Sequence, residues 1–220
     1  FPYDFYGVAN HDLSRQKESL TIRKLTINNK LYTRLGSNVF VGFQNLNKHV
    51  WDIEYEPGGF YDAEVENMGD RGLTMGIGGM IKLDSRDHNL IPKKGHYLKF
   101  EYIYFKNFLS HQNGITKKSS FNNLQIDART YVSLGHGAIN AIQLYADFNV
   151  GVVPFYKMPA IGSARKMRGY YGGIVLDKNL VMIQDEVRFP LYKKITGALF
   201  GGLGTLYSNW SLAELPIFPN

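Results

Sequence analysis

The sequence predicts an all-β chain, an antiparallel transmembrane β-barrel, and three observations predict it. The first is composition: 15 tyrosines, 14 phenylalanines and 23 glycines at a mean hydropathy of -0.24. Aromatic rings mark the two interfaces of a membrane barrel, and a mildly polar average follows when half of each strand faces a wet lumen. The second is strand length. Alternation of apolar and polar residues persists for roughly 10–16 residues at a time, beyond the ~5–6 of a globular sheet and suited to a tilted membrane crossing. The third is the connections, which alternate between short and long, as the periplasmic turns and extracellular loops of outer-membrane barrels do. A soluble β-sandwich would give shorter strands and no such alternation. No run approaches the ~20 apolar residues of a membrane helix.

Taken in order, residues 1–17 read as loop, with Asp4, Gly7, Asn10, His11 and Asp12. The first strand begins at Leu25, with Leu25, Ile27 and Leu31 on one face and Lys24, Thr26, Asn28 and Lys30 on the other. A short turn at Leu35-Gly36-Ser37-Asn38 leads to a second strand that carries Val39, Val41 and Phe43 on one side and continues to about Tyr55. Such a pair reads as a hairpin. A long loop, 56–70, contains Pro57-Gly58-Gly59. The third strand, 71–84, sets Leu73, Met75, Ile77, Ile81 and Leu83 outward and Thr74, Gly76, Gly78, Lys82 and Asp84 inward. After a compact turn, 85–95, the fourth strand (96–108) alternates Leu98, Phe100, Tyr102 and Tyr104 with Lys99 and Glu101.

A polar loop, 109–119, precedes the fifth strand, where Leu124, Ile126, Ala128, Val132 and Leu134 alternate with Gln125, Asp127, Arg129, Tyr131 and Ser133. A tight turn at His136-Gly137 opens the sixth, with Ile142, Leu144, Ala146, Phe148 and Val150 against Gln143, Tyr145, Asp147 and Asn149. The longest connection, 152–177, is basic and contains glycine. The seventh strand sets Val181, Ile183, Val187 and Phe189 against Gln184, Glu186 and Arg188; a turn at Tyr192-Lys193-Lys194 gives the eighth, 195–207. Asp185 breaks the pattern, because strict alternation turns it toward lipid, where charge is costly. A bulge or an interfacial position is expected there. No helical period, tandem repeat or low-complexity segment interrupts the series.

The inward faces carry Lys82, Asp84, Lys99, Glu101, Asp127, Arg129, Asp147, Glu186 and Arg188. Both signs are present in similar number, unlike the biased charge ring of a pore that selects one ion sign. Paired lumen charges instead suit a network that holds an inserted loop. The net charge is +6 and the pI about 9.3, yet the basic residues are scattered, so no nucleic-acid partner is expected. With 0 cysteines, thiol catalysis, disulfides and cysteine-ligated metal sites fall away. His11, His49, His88, His96, His111 and His136 are dispersed, with no metal-ligand spacing and no Ser-His-Asp set; no enzyme, metal or cofactor is expected. The glycine clusters at 76–79 and 201–204 lie within strands rather than before helices, so they read as close backbone approach and not as phosphate loops.

Three blocks carry a family resemblance: Asp84-Ser85-Arg86-Asp87 with Pro92 and Gly95; Pro154-Phe155-Tyr156 with Gly162 and Met167-Arg168-Gly169-Tyr170; and Gln184-Asp185-Glu186-Val187-Arg188-Phe189-Pro190-Leu191. In this order and spacing they resemble the BamA/TamA superfamily of outer-membrane barrels, the bacterial surface antigen family. The resemblance covers about 70–207 well and 1–55 more loosely. It implies a barrel of roughly sixteen strands, of which about eight are visible here as the sixth to thirteenth. It also implies that the 152–177 loop folds into the lumen. The whole of 1–220 is then part of one outer-membrane barrel domain. Both ends read as cut, with N-terminal strands or modules and C-terminal strands lying outside the sequence.

In the family the loop arginine is held by an acid on the next strand, which implies that Arg168, within Arg168-Gly169-Tyr170, meets Glu186. The family's second acid falls at Gly202 here, so either the anchor is reduced to the one acid, Glu186, or another lumen acid such as Asp147 substitutes. The implied function is to assist insertion or translocation of polypeptides in the bacterial outer membrane. An alternative is a barrel that anchors or exports a fused enzyme, patatin-like or a metallophosphatase, or a barrel-only subunit of a larger complex. Implied partners are outer-membrane lipids, nascent outer-membrane or secreted polypeptides, and other subunits of an outer-membrane complex.

Overall fold

The computed structural model describes residues 2–8, 17–59, 61, 71–110, 116–163, 166–170, 172–173, 175–208 and 217–219. Twelve strands lie among them: β1 (Pro2–Phe5), β2 (Glu18–Arg34), β3 (Val39–Glu54), β4 (Arg71–Asp84), β5 (Gly95–Ser110), β6 (Thr116–Gly135), β7 (Ala138–Gly151), β8 (Ala160–Ile161), β9 (Val175–Leu176), β10 (Asn179–Tyr192), β11 (Ile195–Tyr207) and β12 (Phe218–Pro219). Ten of these form one sheet in the order β1-β2-β3-β4-β5-β6-β7-β10-β11-β12. Every pairing in it is antiparallel. The sheet is therefore a meander, interrupted once between β7 and β10, where the small hairpin β8–β9 is inserted. Among the described residues the sheet does not close on itself.

The eight long strands, β2–β7, β10 and β11, are the eight the alternation predicts, and β4 and β11 begin and end where expected. Three local expectations are corrected. The first long strand begins at Glu18 rather than Leu25, because β1 supplies a ladder partner for residues 18–21. Residues 2–5, expected as loop, are β1 itself. Residues 109–110 and 116–119, also expected as loop, are strand, since the hydroxyl- and lysine-rich run 116–119 pairs residue by residue with 107–110. Polar composition concealed a strand that extends beyond the apolar band. Most of the 56–70 connection, residues 111–115 and 209–216, and with them His11 and His111, lie outside the described residues.

The two faces differ as a membrane wall requires. Leu31, Met75, Ile77, Ile81, Ile183 and Leu199 project outward and are 44–76% exposed. So large an exposed aliphatic surface suits lipid and not water. Gln44, Thr74, Glu101, Asn123, Asp127 and Asp147 occupy the opposite face and are buried.

Two facts show that this polar face is concave. Lys30 on β2 donates to Glu101 on β5 at 3.0 Å, although β3 and β4 lie between them. Strands spaced about 4.8 Å apart would set a flat sheet's β2 and β5 roughly 14 Å apart, so the sheet must curl inward. The segment after β7 also touches both flanks. Its Phe155 packs with Leu20 and Val50 of β2 and β3, while its Met167 packs with Met182 and Leu206 of β10 and β11. One segment reaches both ends of the sheet only if the sheet wraps around it.

A segment fastened inside the concave face

From Gly151 the chain turns inward and is tied at once. Asn107 Nδ2 on β5 donates to Val152 O at 3.0 Å. Pro154 then opens a single 3-10 turn, Phe155–Lys157. Phe155 is 1% exposed, set edge-on against Phe5 and Tyr61. Tyr156 is held at both ends: Lys48 Nζ donates to its carbonyl at 2.9 Å, and its hydroxyl lies 3.0 Å from Thr74 Oγ1. Lys157 Nζ sits 4.3 Å from the centre of the Phe105 ring, where burial pushes its ammonium below the usual lysine range. The hairpin β8–β9 carries the next reversal.

At the tip of that hairpin lie the residues singled out by sequence. Lys166 Nζ donates to Tyr145 Oη at 2.9 Å, and burial lowers its pKa also, with Asp147 opposing the shift. The Met167 amide donates to Gln184 Oε1 at 2.8 Å, and its side chain is fully buried. Arg168 Nη1 is ion-paired with Glu186 Oε2 on β10, and its guanidinium lies over the Phe200 ring, 5.1 Å from the centre. Glu186 is shared: Arg188 Nε donates to its other oxygen. Its side chain is 10% exposed against 40% for Arg168. Gly169, at φ 99°, takes the left-handed turn that follows, which a side chain at this position would strain. Tyr170 then donates its hydroxyl to Pro219 O, with its ring edge-on to Phe218.

Asp147 is buried at 5% exposure and accepts from Asn123, Gln125, Tyr145 and Asn149 at 2.6–3.2 Å. It binds amides of β6 and β7 and meets the inserted segment through one intermediary: Tyr145 donates to Asp147 and accepts from Lys166. At Gly202 there is no second acid; Gly202 stands opposite Gln184 in the β10–β11 ladder, and Gln184 binds the backbone beside Arg168. The cationic side chain rests instead on an aromatic face, Phe200, an arrangement that attracts a guanidinium. The return limb is tied by Asn149, which donates to Lys178 O at 2.8 Å.

Sequence reasoning did not single out Lys48, Thr74, Asn107, Tyr145 or Gln184 as fastening residues. Their one signal was an inward position in the alternation, which many solvated lumen residues share. Chemically the arrangement fastens. Its acids are engaged by amides and guanidiniums, and no cluster of three His, Cys, Asp or Glu that could hold a metal ion occurs among the described residues.

The Omp85 superfamily domain matches residues 8–214. Among solved structures, BamA from Haemophilus ducreyi lacking POTRA domains 1–3 superposes with a TM-score of 0.62 at 14% sequence identity, over 94% of this chain and 45% of that one. The chain thus spans about half the length of the structure it resembles. No curated protein sequence matches it.

Proposed function

The chain belongs to the Omp85 superfamily, and from that membership we propose that it forms part of the wall of a bacterial outer-membrane barrel that assists the insertion or translocation of polypeptides. The observation that carries this reading is the fastened inward segment, held across the concave face from Lys48 to Glu186. A wall braced by its own loop can remain a barrel while a ladder elsewhere opens to a substrate strand, because edge pairing supplies the binding and no catalytic residue is needed. Arg168, Gly169 and Tyr170 are the loop's tip in this reading, Glu186 its direct anchor and Asp147 an indirect one through Tyr145. Its partners are polypeptides in transit, outer-membrane lipids and other subunits of a membrane complex.

The test is reconstitution of the whole protein in liposomes, with an unfolded outer-membrane barrel added as substrate. Folding of that substrate is expected to be at least several times faster than in protein-free liposomes of the same lipid. Equal rates would overturn the reading.

Orientation gives a second expected result. The end bearing segment 152–178 faces the cell exterior, and the short turns at 35–38, 136–137 and 193–194 face the periplasm. The chain has 0 cysteines, so Glu56→Cys and Ser37→Cys are clean reporters within it. A membrane-impermeant thiol reagent on intact cells is expected to label the first and spare the second, and the reverse pattern would invert the topology.

A further inference from the structure

Four connections close the same end of the wall, because an antiparallel meander turns at alternate ends: 35–38 joins β2 to β3, 85–94 joins β4 to β5, 136–137 joins β6 to β7 and 193–194 joins β10 to β11. Two of them repeat one pattern. Leu90 and Ile91 precede Lys93 and Lys94; Leu191 and Tyr192 precede Lys193 and Lys194, and Ile195 follows. Leu90 is 85% exposed, and Ile91, Leu191, Tyr192 and Ile195 are 60–64% exposed.

The longer turn is tied by its own hydrogen bonds. Arg86 Nε and Nη2 donate to the Asp84 carboxylate, each at 2.8 Å. Asp87 Oδ1 accepts from the amides of Lys93 and Lys94 at 2.9 and 3.3 Å. His88 Nδ1 accepts from the amides of Leu90 and Ile91, both at 3.1 Å. With its backbone held in this way, the turn keeps both aliphatic side chains on its surface.

All four lysines are exposed, and none has a carboxylate partner among the described residues. Asp84 and Asp87 are engaged within the longer turn. Asp185, outward on β10, accepts from Asn140 Nδ2 at 2.6 Å, and neither ladder has the bulge expected beside it. Water satisfies the lysines but not the five apolar side chains next to them. The boundary between headgroups and acyl chains suits both. The turns lie where outward apolar rows end, Ile81 and Leu83 on β4 and Leu199 and Ile195 on β11. They stand four strand spacings apart, about 19 Å along the rim, with 136–137 between them. A compact acidic spot on one protein meets one of the two, whereas a headgroup layer meets both. Unpaired lysines at such a surface favour anionic lipid.

We propose that the turns at 85–94 and 193–194 bind anionic phospholipids of the periplasmic leaflet, with Lys93, Lys94, Lys193 and Lys194 meeting the phosphates and Leu90, Ile91 and Tyr192 seated at the acyl boundary. This rests on the orientation of the wall given above and is independent of the proposed activity.

The experiment reconstitutes the whole protein, with a photo-crosslinking amino acid in place of Leu90, into vesicles of equal parts phosphatidylcholine and phosphatidylglycerol with matched acyl chains. Both leaflets then have one composition, so the result does not depend on orientation, which the thiol reagent reads separately. Mass spectrometry identifies the adducts. Phosphatidylglycerol adducts are expected to exceed phosphatidylcholine adducts by roughly threefold or more. Lys93→Gln with Lys94→Gln is expected to bring the ratio near one while lipid adducts persist, and Lys93→Arg with Lys94→Arg to keep it. A probe in place of Tyr192 is expected to show the same preference and to lose it with Lys193→Gln and Lys194→Gln. Heat-dependent gel mobility confirms that each variant folds. Equal adducts of the two lipids, the absence of lipid adducts, an unchanged ratio in the glutamine variants, or adducts to a soluble protein in place of lipid in the protein's own membrane would each overturn the proposal.

Discussion

Replacing Glu186 with alanine is expected to release the tip of the 152–178 segment and to destabilise the wall by roughly 2–3 kcal/mol. The figure lies between two limits: breaking a buried ion pair costs ~3–5 kcal/mol, whereas an exposed pair is worth ~0–1 kcal/mol. Glu186 is 10% exposed, but Arg168 is 40% exposed and retains water and the Phe200 ring when its partner is lost. What raises the cost above that of a surface pair is sharing. Glu186 also accepts from Arg188, so its removal takes from two neighbouring guanidiniums the carboxylate they share. Arg168→Ala removes one cation and leaves Glu186 with Arg188, so about 1 kcal/mol is expected. The double variant should cost less than the sum, because the second change relieves the repulsion created by the first. Folded and unfolded forms of such a barrel separate by gel mobility, and the midpoint of their interconversion on heating in detergent measures each variant. Strict additivity would remove the pair from the fastening of the loop.

The wall was legible in the sequence because its period is two and its runs exceed the ~5–6 residues usual for a globular strand. Leu73 to Leu83 and Leu124 to Leu134 declare their strands without help from tertiary structure. The strand ends near residues 18 and 116 were not legible, since outside the apolar band nothing in a hydroxyl- or lysine-rich run separates ladder from loop. Arg168 and Glu186 were legible as a pair through family blocks and not through any local pattern. The remaining ties of the segment were hidden for a physical reason: Lys48, Thr74, Asn107 and Gln184 lie far apart in sequence, and only the curl of the sheet brings them to one segment. Asp147 shows the same limit. Its inward position was evident, but its partners across β6 and β7 and its link to Lys166 through Tyr145 depend on register. Asp185 is the reverse case, because the sequence displayed its anomaly while only the structure revealed Asn140.

The curl itself makes the second large prediction. Gly76 and Gly78 face inward on β4. A Cβ at Gly78 would lie 2.0 Å from Tyr102 O and 2.8 Å from Ile103 Cα, and one at Gly76 would lie 2.3 Å from Phe105 Cε1. The obstacle at Gly76 is a ring stacked on Phe121 at 4.6 Å, which can shift by repacking. The obstacle at Gly78 is backbone of the paired strand, which can yield only if the β4–β5 ladder opens or flattens. Gly78→Ala is therefore expected to cost about 3 kcal/mol or more, at or beyond the upper end of ordinary overpacking, and Gly76→Ala about 1–2 kcal/mol. Gly79 faces outward in the same strand, and the nearest atom to a Cβ there is 3.6 Å away. Gly79→Ala should be within about 0.5 kcal/mol of neutral. The three variants differ by the same methyl group within four residues of one strand, so strand propensity cannot order them. The same heat-dependent gel assay ranks them, and equal midpoints for Gly78→Ala and Gly79→Ala would show that the inward curl does not depend on the missing side chain. If the order holds, Gly78→Ala should also loosen the Lys30–Glu101 pair, because that contact spans β2 to β5 only while the sheet between them stays curled.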